Sequence, residues 1–148
     1  MIEINQLKKS YGNINVLYDF DLNIKRGSIT SIVGASGSGK TTLLRLISGL
    51  EIPNDGEIIL NGGVVNSKDK FVPPEKRDCS LVFQDYALFP NISMIENIYF
   101  GKNSFQNKEK IDELIQLTEI EGVLEKFPHE CSGGEQQRVA LVRSLAIN

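Results

Sequence analysis

Gly34-Ala35-Ser36-Gly37-Ser38-Gly39-Lys40-Thr41 is the stretch from which the rest of the chain can be read. It follows the spacing G-x-x-x-x-G-K-[ST]. Before it stands a short apolar run, Ile29 to Val33, expected to be a strand; after it comes LLRLISGL, where Leu43, Ile47 and Leu50 keep helical spacing until Pro53. Glycines let a backbone curl until successive N–H groups point inward, and a helix N-terminus adds positive potential. Lys40 supplies a mobile charge for β- and γ-phosphates, the Thr41 hydroxyl can ligate Mg²⁺, and Thr42 continues the first helical turn. The implied ligand of residues 34–42 is a nucleoside triphosphate. A flexible Gly/Ser turn capping a core helix is the plain alternative, and it leaves the full pattern in this position unexplained. By itself the loop does not separate kinases, GTPases and transport ATPases.

Working outward, residues 2 to 25 alternate apolar and polar groups (Ile2, Ile4, Leu7, then Val16, Leu17, Phe20, Leu22, Ile24), predicting strands broken at Gly12-Asn13 and ended at Arg26-Gly27. Asp55-Gly56 precedes another strand, and Asn61-Gly62 between apolar runs is a hairpin signal. After KDKFVPPEKRD a further strand is expected from Cys79 to Phe83. Beyond it the pattern turns helical. Ser93 and Glu96 form a capping box, a helix runs from about Lys108 through Ile111, Leu114 and Ile115, and Ser132 to Glu135 open a last helix with Val139, Val142 and Ala146 on one face as far as Asn148.

Composition narrows the field. The 148 residues are 41% hydrophobic, enough to bury a core, and 16 basic against 19 acidic groups give no electrostatic reason to expect nucleic acid. No apolar run approaches a membrane span and the start lacks a signal peptide's core, so a cytoplasmic location is expected. Cys79 and Cys131 fit neither a disulfide framework nor a metal site.

Cys131-Ser132-Gly133-Gly134-Glu135-Gln136-Gln137-Arg138 closely resembles the signature motif of ATP-binding cassette (ABC) proteins. A Ser and two Gly at a helix start expose N–H groups and a hydroxyl with no side chain in the way, an anion site. Simple capping by Ser132 and Glu135 is the alternative, and it does not account for Gly133-Gly134. The family usually has Leu at the place of Cys131 and Gln at that of Glu135. The resemblance implies that Ser132 to Glu135 close on the nucleotide of a second subunit. Leu81-Val82-Phe83-Gln84-Asp85 is similar to the family's Q-loop, which gives Gln84 the Mg²⁺ and the attacking water; reading Asp85 as the end of a Walker B strand puts the acid one place late. Tyr11 matches the aromatic that stacks on adenine, with Val16 lining the same pocket. The single histidine, His129, reads as structural.

The resemblance covers essentially the whole chain and implies an α/β P-loop nucleotide-binding domain with an antiparallel β subdomain and a helical subdomain. Its expected division is about 1–85 for the P-loop core and β subdomain and 86–148 for the Q-loop, helical subdomain and signature helix. VPPEKRD, VFQDYALFPNISMIENIYFG and FPHE are similar to importers of ferric iron, polyamines, sulfate, molybdate and sugars, ferric iron being the first choice. That implies ATP and Mg²⁺ as cofactors. It also implies transmembrane permease subunits, with Phe89, Pro90 and Ile95 as contacts, a second nucleotide-binding subunit, and indirectly a substrate-binding protein. The expected place is the cytoplasmic face of the membrane. The Walker B acids fall outside these residues, so the 148-residue chain is expected not to hydrolyse ATP by itself and to expose apolar faces at Val33, Leu43 and Leu44. Rival readings are a soluble cassette protein of DNA repair or translation, a P-loop kinase, and a non-catalytic nucleotide-binding piece.

Overall fold

A long hairpin begins the chain: β1 (Ile2–Tyr11) and β2 (Ile14–Ile24) pair antiparallel around Gly12-Asn13, where Gly12 takes a φ of 57°. The computed structural model describes residues 1–100 and 107–146, so Gly101 and the chain end at Asn148 lie outside the described residues. Regular alternation along the hairpin is interrupted where Gln6 (φ 49°) and Asp19 (φ 44°) enter the left-handed region and the register shifts. An extra residue on one strand turns everything beyond it over. Ile4 and Leu7, out of phase for a regular strand, are therefore both buried.

β1 pairs on its other side with β3 (Asp55–Leu60), which returns through Asn61-Gly62 into β4 (Gly63–Ser67) and then β5 (Lys70–Phe71). The sheet order is β2-β1-β3-β4-β5, antiparallel throughout. Asn61 (φ 50°) and Gly62 (φ 82°) supply the two left-handed positions of a tight hairpin turn. α1 (Lys40–Ser48) packs Leu43, Leu46 and Ile47 against Ile4, Leu7, Leu17, Ile58, Leu60 and Val65.

Four expectations change here. α1 ends at Gly49 (φ 82°), whose N–H bonds the Leu46 carbonyl, so Leu50 lies past the helix and is exposed while Leu46 takes the core position. Leu43 is 2% exposed, not bare. Ile29 to Val33 is not a strand: among the described residues it finds no ladder partner, and Ile29 and Val33 are 100% and 92% exposed. An apolar run becomes a strand only when another strand takes its N–H and C=O groups, and parallel pairing recruits that neighbour from a distant crossover. Cys79 to Phe83 is likewise without strand pairing.

Arg77 closes the lower end of α1. Its guanidinium, 5% exposed, donates to the carbonyls of Leu46 (2.7 Å), Ile47 (2.8 Å) and Val72 (2.7 Å) and lies over the Phe71 ring. Burial lowers its pKa, and the carbonyl end of the helix dipole offsets the charge in place of a carboxylate. Gly49 is obliged to be glycine by φ and by space, since a Cβ there would stand 2.5 Å from Arg77 Nε.

The chain divides into two compact units, Met1–Cys79 and Ser80–Asn148. The second is helical: α2 (Met94–Ile98), α3 (Lys108–Leu117) and α4 (Gly133–Ala146) gather Met94, Ile98, Ile111, Ile115, Val139, Val142 and Ala146 into a separate core. Ser93 and Glu96 form the expected capping box, the Ser93 N–H donating to Glu96 Oε2 at 2.7 Å. Asn97, fully buried, accepts from the Phe89 N–H at 2.8 Å and donates to the carbonyls of Phe89, Ile92 and Ser93. No helix among the described residues is long and apolar enough to cross a membrane.

Candidate nucleotide-binding site

The phosphate loop is built at the start of α1. Ala35 accepts from the Ser38 N–H at 3.2 Å, Gly37 turns with φ 80°, and Gly39 (φ 89°) delivers the chain into the helix. Gly39 is also closely approached, because a Cβ there would meet Val16 Cγ1 at 2.8 Å. Val16 thus packs on the loop itself. Lys40 Nζ curls back to donate to the carbonyls of Gly34 (2.8 Å) and Ala35 (2.6 Å) and to Ser38 Oγ (3.3 Å). The ammonium is held at the loop mouth, while Gly34, Ala35, Ser36, Ser38 and Thr41 stay exposed. An exposed glycine-rich loop, an open helix start and one fixed ammonium suit a polyphosphate. Among the described residues no group of His, Cys, Asp and Glu could hold a metal alone, so Mg²⁺ here would need phosphate oxygens beside Thr41.

Tyr11, at the end of β1, reaches the same helix. Its hydroxyl donates to the Glu51 carboxylate, with Thr42 beside it, and Lys9 Nζ lies 4.9 Å from the ring centroid. Tyr11, Val16 and residues 34 to 42 therefore come together in the first unit. The Glu51 hydrogen bond pushes the Tyr11 phenol up, and the ring stays neutral.

Gln84 and Ser132 to Glu135 belong to the second unit. Gln84 is exposed at the start of a turn in which Tyr86 (φ 62°) and Ala87 (φ 46°) are left-handed, a conformation unfavourable for residues with a Cβ. Arg143 of α4 holds that turn, donating to the carbonyls of Tyr86 (2.9 Å) and Ala87 (2.8 Å). Burial lowers its pKa. Ser80 Oγ donates to the Ser144 carbonyl at 3.1 Å, a second tie between this segment and α4.

At the head of α4 the Ser132 N–H and Oγ both donate to Glu135 Oε2 at 2.7 Å, while the Glu135 N–H reaches Ser132 Oγ at 3.4 Å. The capping box is real, yet it leaves the glycines free. A Cβ at Gly133 or Gly134 would meet nothing nearer than 3.5 Å and 3.7 Å, so packing does not demand glycine at either position. What their bareness provides is an open helix start. His129 stacks on Phe127, and burial pushes the thiols of Cys79 and Cys131 up.

Sequence reasoning missed Glu51, Lys9, Arg45, Arg143 and Asn97. Lys9, Glu51 and Arg143 act through contacts distant in sequence, and Arg45 and Asn97 through nearer ones that no spacing pattern singles out.

The family profile described as ABC transporter matches residues 17–148. The chain belongs to the ABC transporter family. Among curated ABC relatives it is 47% identical to the spermidine/putrescine import ATP-binding protein PotA of Legionella pneumophila (strain Paris), over 98% of this chain and 40% of that protein. It is 46% identical to the Fe(3+) ions import ATP-binding protein FbpC of Yersinia enterocolitica, over 97% of this chain and 42% of that protein. The ABC chain thus spans about two fifths of the curated relatives it matches. A solved ATP-binding cassette, a dimer in a post-hydrolysis state bound to ADP and Pi, superposes with a TM-score of 0.82 at 34% identity, over 100% of this chain and 70% of that one. An α/β chain with an antiparallel sheet is the fold these ABC cassettes share with it.

Proposed function

We propose that this chain is the nucleotide-binding part of an importer's ATPase subunit, binding MgATP and coupling its hydrolysis in the intact protein to solute uptake. The observation that carries the reading is the bare helix start at Gly133-Gly134, glycines that packing does not require, in one chain with the Lys40 loop. In this reading Tyr11 and Val16 face the adenine, residues 34 to 42 hold the phosphates, and Thr41 and Gln84 serve Mg²⁺. Bound Mg²⁺ would draw charge from the phosphate oxygens. Ser132 to Glu135 act on the nucleotide of a second subunit, as the dimeric state of the ADP-bound cassette supports.

Ferric iron is the first cargo to test. The relatives' names divide between Fe(3+) and spermidine/putrescine at 46% and 47% identity, so both are cations and neither is favoured by likeness. Phe89, Pro90 and Ile95 would meet a permease subunit on the cytoplasmic side of the membrane. In the intact protein Lys40→Ala should remove nucleotide binding. Ser132→Arg should abolish ATPase turnover and leave binding by each subunit within about twofold, since surface changes rarely exceed half a kcal/mol. Equal losses of binding and turnover in Ser132→Arg would place the motif in its own subunit's site and overturn the dimer reading.

A further inference from the structure

We infer that Glu51 is the positioning residue for base recognition: it grips the Tyr11 hydroxyl and fixes the ring so that one face alone is offered to a purine. This rests on the reading that Tyr11 stacks on the base, and it adds what holds the ring and which side is used.

The geometry is confined to the first unit. Glu51 sits just past the end of α1, its side chain 18% exposed, and takes three partners at once: the Tyr11 hydroxyl, Lys9 Nζ at 3.3 Å and Arg45 Nη1 at 3.7 Å. Burial works against its charge, but the hydrogen bonds from Tyr11 and Lys9 hold the carboxyl below its ordinary value. It is a carboxylate when the ring is gripped.

The segment carrying Glu51 is itself tied down. Its N–H donates to the Arg45 carbonyl (3.2 Å), Lys9 Nζ to the Ile52 carbonyl (2.8 Å), the Asn54 N–H to the Lys8 carbonyl (2.8 Å) and the Ser10 N–H to Asn54 Oδ1 (2.7 Å). The connection from α1 to β3 is laced onto β1, the strand that bears Tyr11. Anchor and ring therefore move as one piece.

Lys9 decides the face. Its ammonium, 14% exposed and committed to both Glu51 and the Ile52 carbonyl, lies over the ring at 4.9 Å from the centroid. A cation there pulls on the π-cloud and shuts that side to a base. The opposite face is left for stacking, the sequence-tolerant contact that aromatic rings make with bases. Two cations, Lys9 and Arg45, outweigh the one carboxylate, so the anchor adds no net negative charge beside a phosphate site.

The test is a comparison of two ligands, ATP and inorganic tripolyphosphate, by competition binding in the intact protein. Removing the stacking ring with Tyr11→Ala should weaken ATP by at least about fivefold and leave tripolyphosphate unchanged. Tyr11→Phe and Glu51→Ala, which break the grip from either end, should each weaken ATP by about three- to fivefold, again without touching tripolyphosphate. Their double variant should be no weaker than either alone, and Glu51→Gln, which still accepts from the hydroxyl, should recover most of the loss. Loss in Tyr11→Ala with full affinity in Tyr11→Phe and Glu51→Ala would overturn the positioning role and spare the stacking reading. Full ATP affinity in Tyr11→Ala would overturn both. Equal loss of tripolyphosphate in Glu51→Ala would mean that Glu51 supports the loop and not the base.

Discussion

Arg77 shows how much one side chain can hold. Four carbonyls converge on its guanidinium, three of them closely, and two of these, Leu46 and Ile47, stand at the end of the helix that begins at the phosphate loop. Replacing it with Met takes a donor from each, but the Leu46 carbonyl keeps the Gly49 N–H, so the close partner is lost at Ile47 and Val72, at about 1–3 kcal/mol for each group. Arg77→Met should destabilise the chain by about 2 kcal/mol or more, read as a lower urea midpoint. Arg77→Lys should recover little, because a point-like ammonium cannot serve carbonyls spread around a planar fork. The phosphate loop was legible at this same scale because the Gly and Lys residues at fixed spacing are the chemistry. Arg77, Glu51 and Arg143 were not, since a lone arginine or glutamate reads as solvated until the fold brings its partners to it.

Among the elements, α4 carries a pH dependence at its first turn. The Glu135 carboxyl is held below its ordinary value by the hydrogen bond from the Ser132 hydroxyl and then by that from the Ser132 N–H. A depressed carboxyl stabilises the fold above its unfolded pKa and loses that contribution as pH falls through the folded value. The first turn of α4 should thus be fully protected above about pH 5 and lose protection as pH drops below about 4.3. Amide exchange at Glu135 and Gln136 would show it. Glu135→Gln, a capping partner that cannot ionise, should flatten the profile. Capping boxes at Ser93 and Ser132 and the turn at Asn61-Gly62 were evident in the sequence because they are local, closing within a few residues. Ile29 to Val33 misled for the opposite reason: its apolar pattern states an appetite for a neighbour and does not supply one. Gln6 and Asp19 escaped notice because a bulge is a property of two strands in register.

For the molecule as a whole, the exposed row Ile29, Ile32 and Val33 is the main liability. Apolar backbone with unpaired N–H and C=O groups is a template for another chain. The 148-residue chain should bind an apolar dye and self-associate as concentration rises. Ile29→Thr with Val33→Thr should reduce both, measured by dye fluorescence and sedimentation. A dye-silent monomer at all concentrations would show that the row is covered. The fold class was legible from the sequence at this scale, while the separate cores of the two units were not, because helical spacing shows which face is apolar and not what it meets.

Asn97 draws Phe89, Ile92 and Ser93 to a single buried amide. A segment closed by one hub has no half-open state: releasing the hub frees every strand of the knot together, and the piece behaves as a small cooperative opening unit. The Phe89 amide, bonded to that hub, should therefore exchange at the same rate as the Asn97 amide, although one lies in a loop and the other in a helix. Any partner that seats on Phe89 then meets a latch, thrown or unthrown, and its occupancy would be read as a change in how often the latch opens.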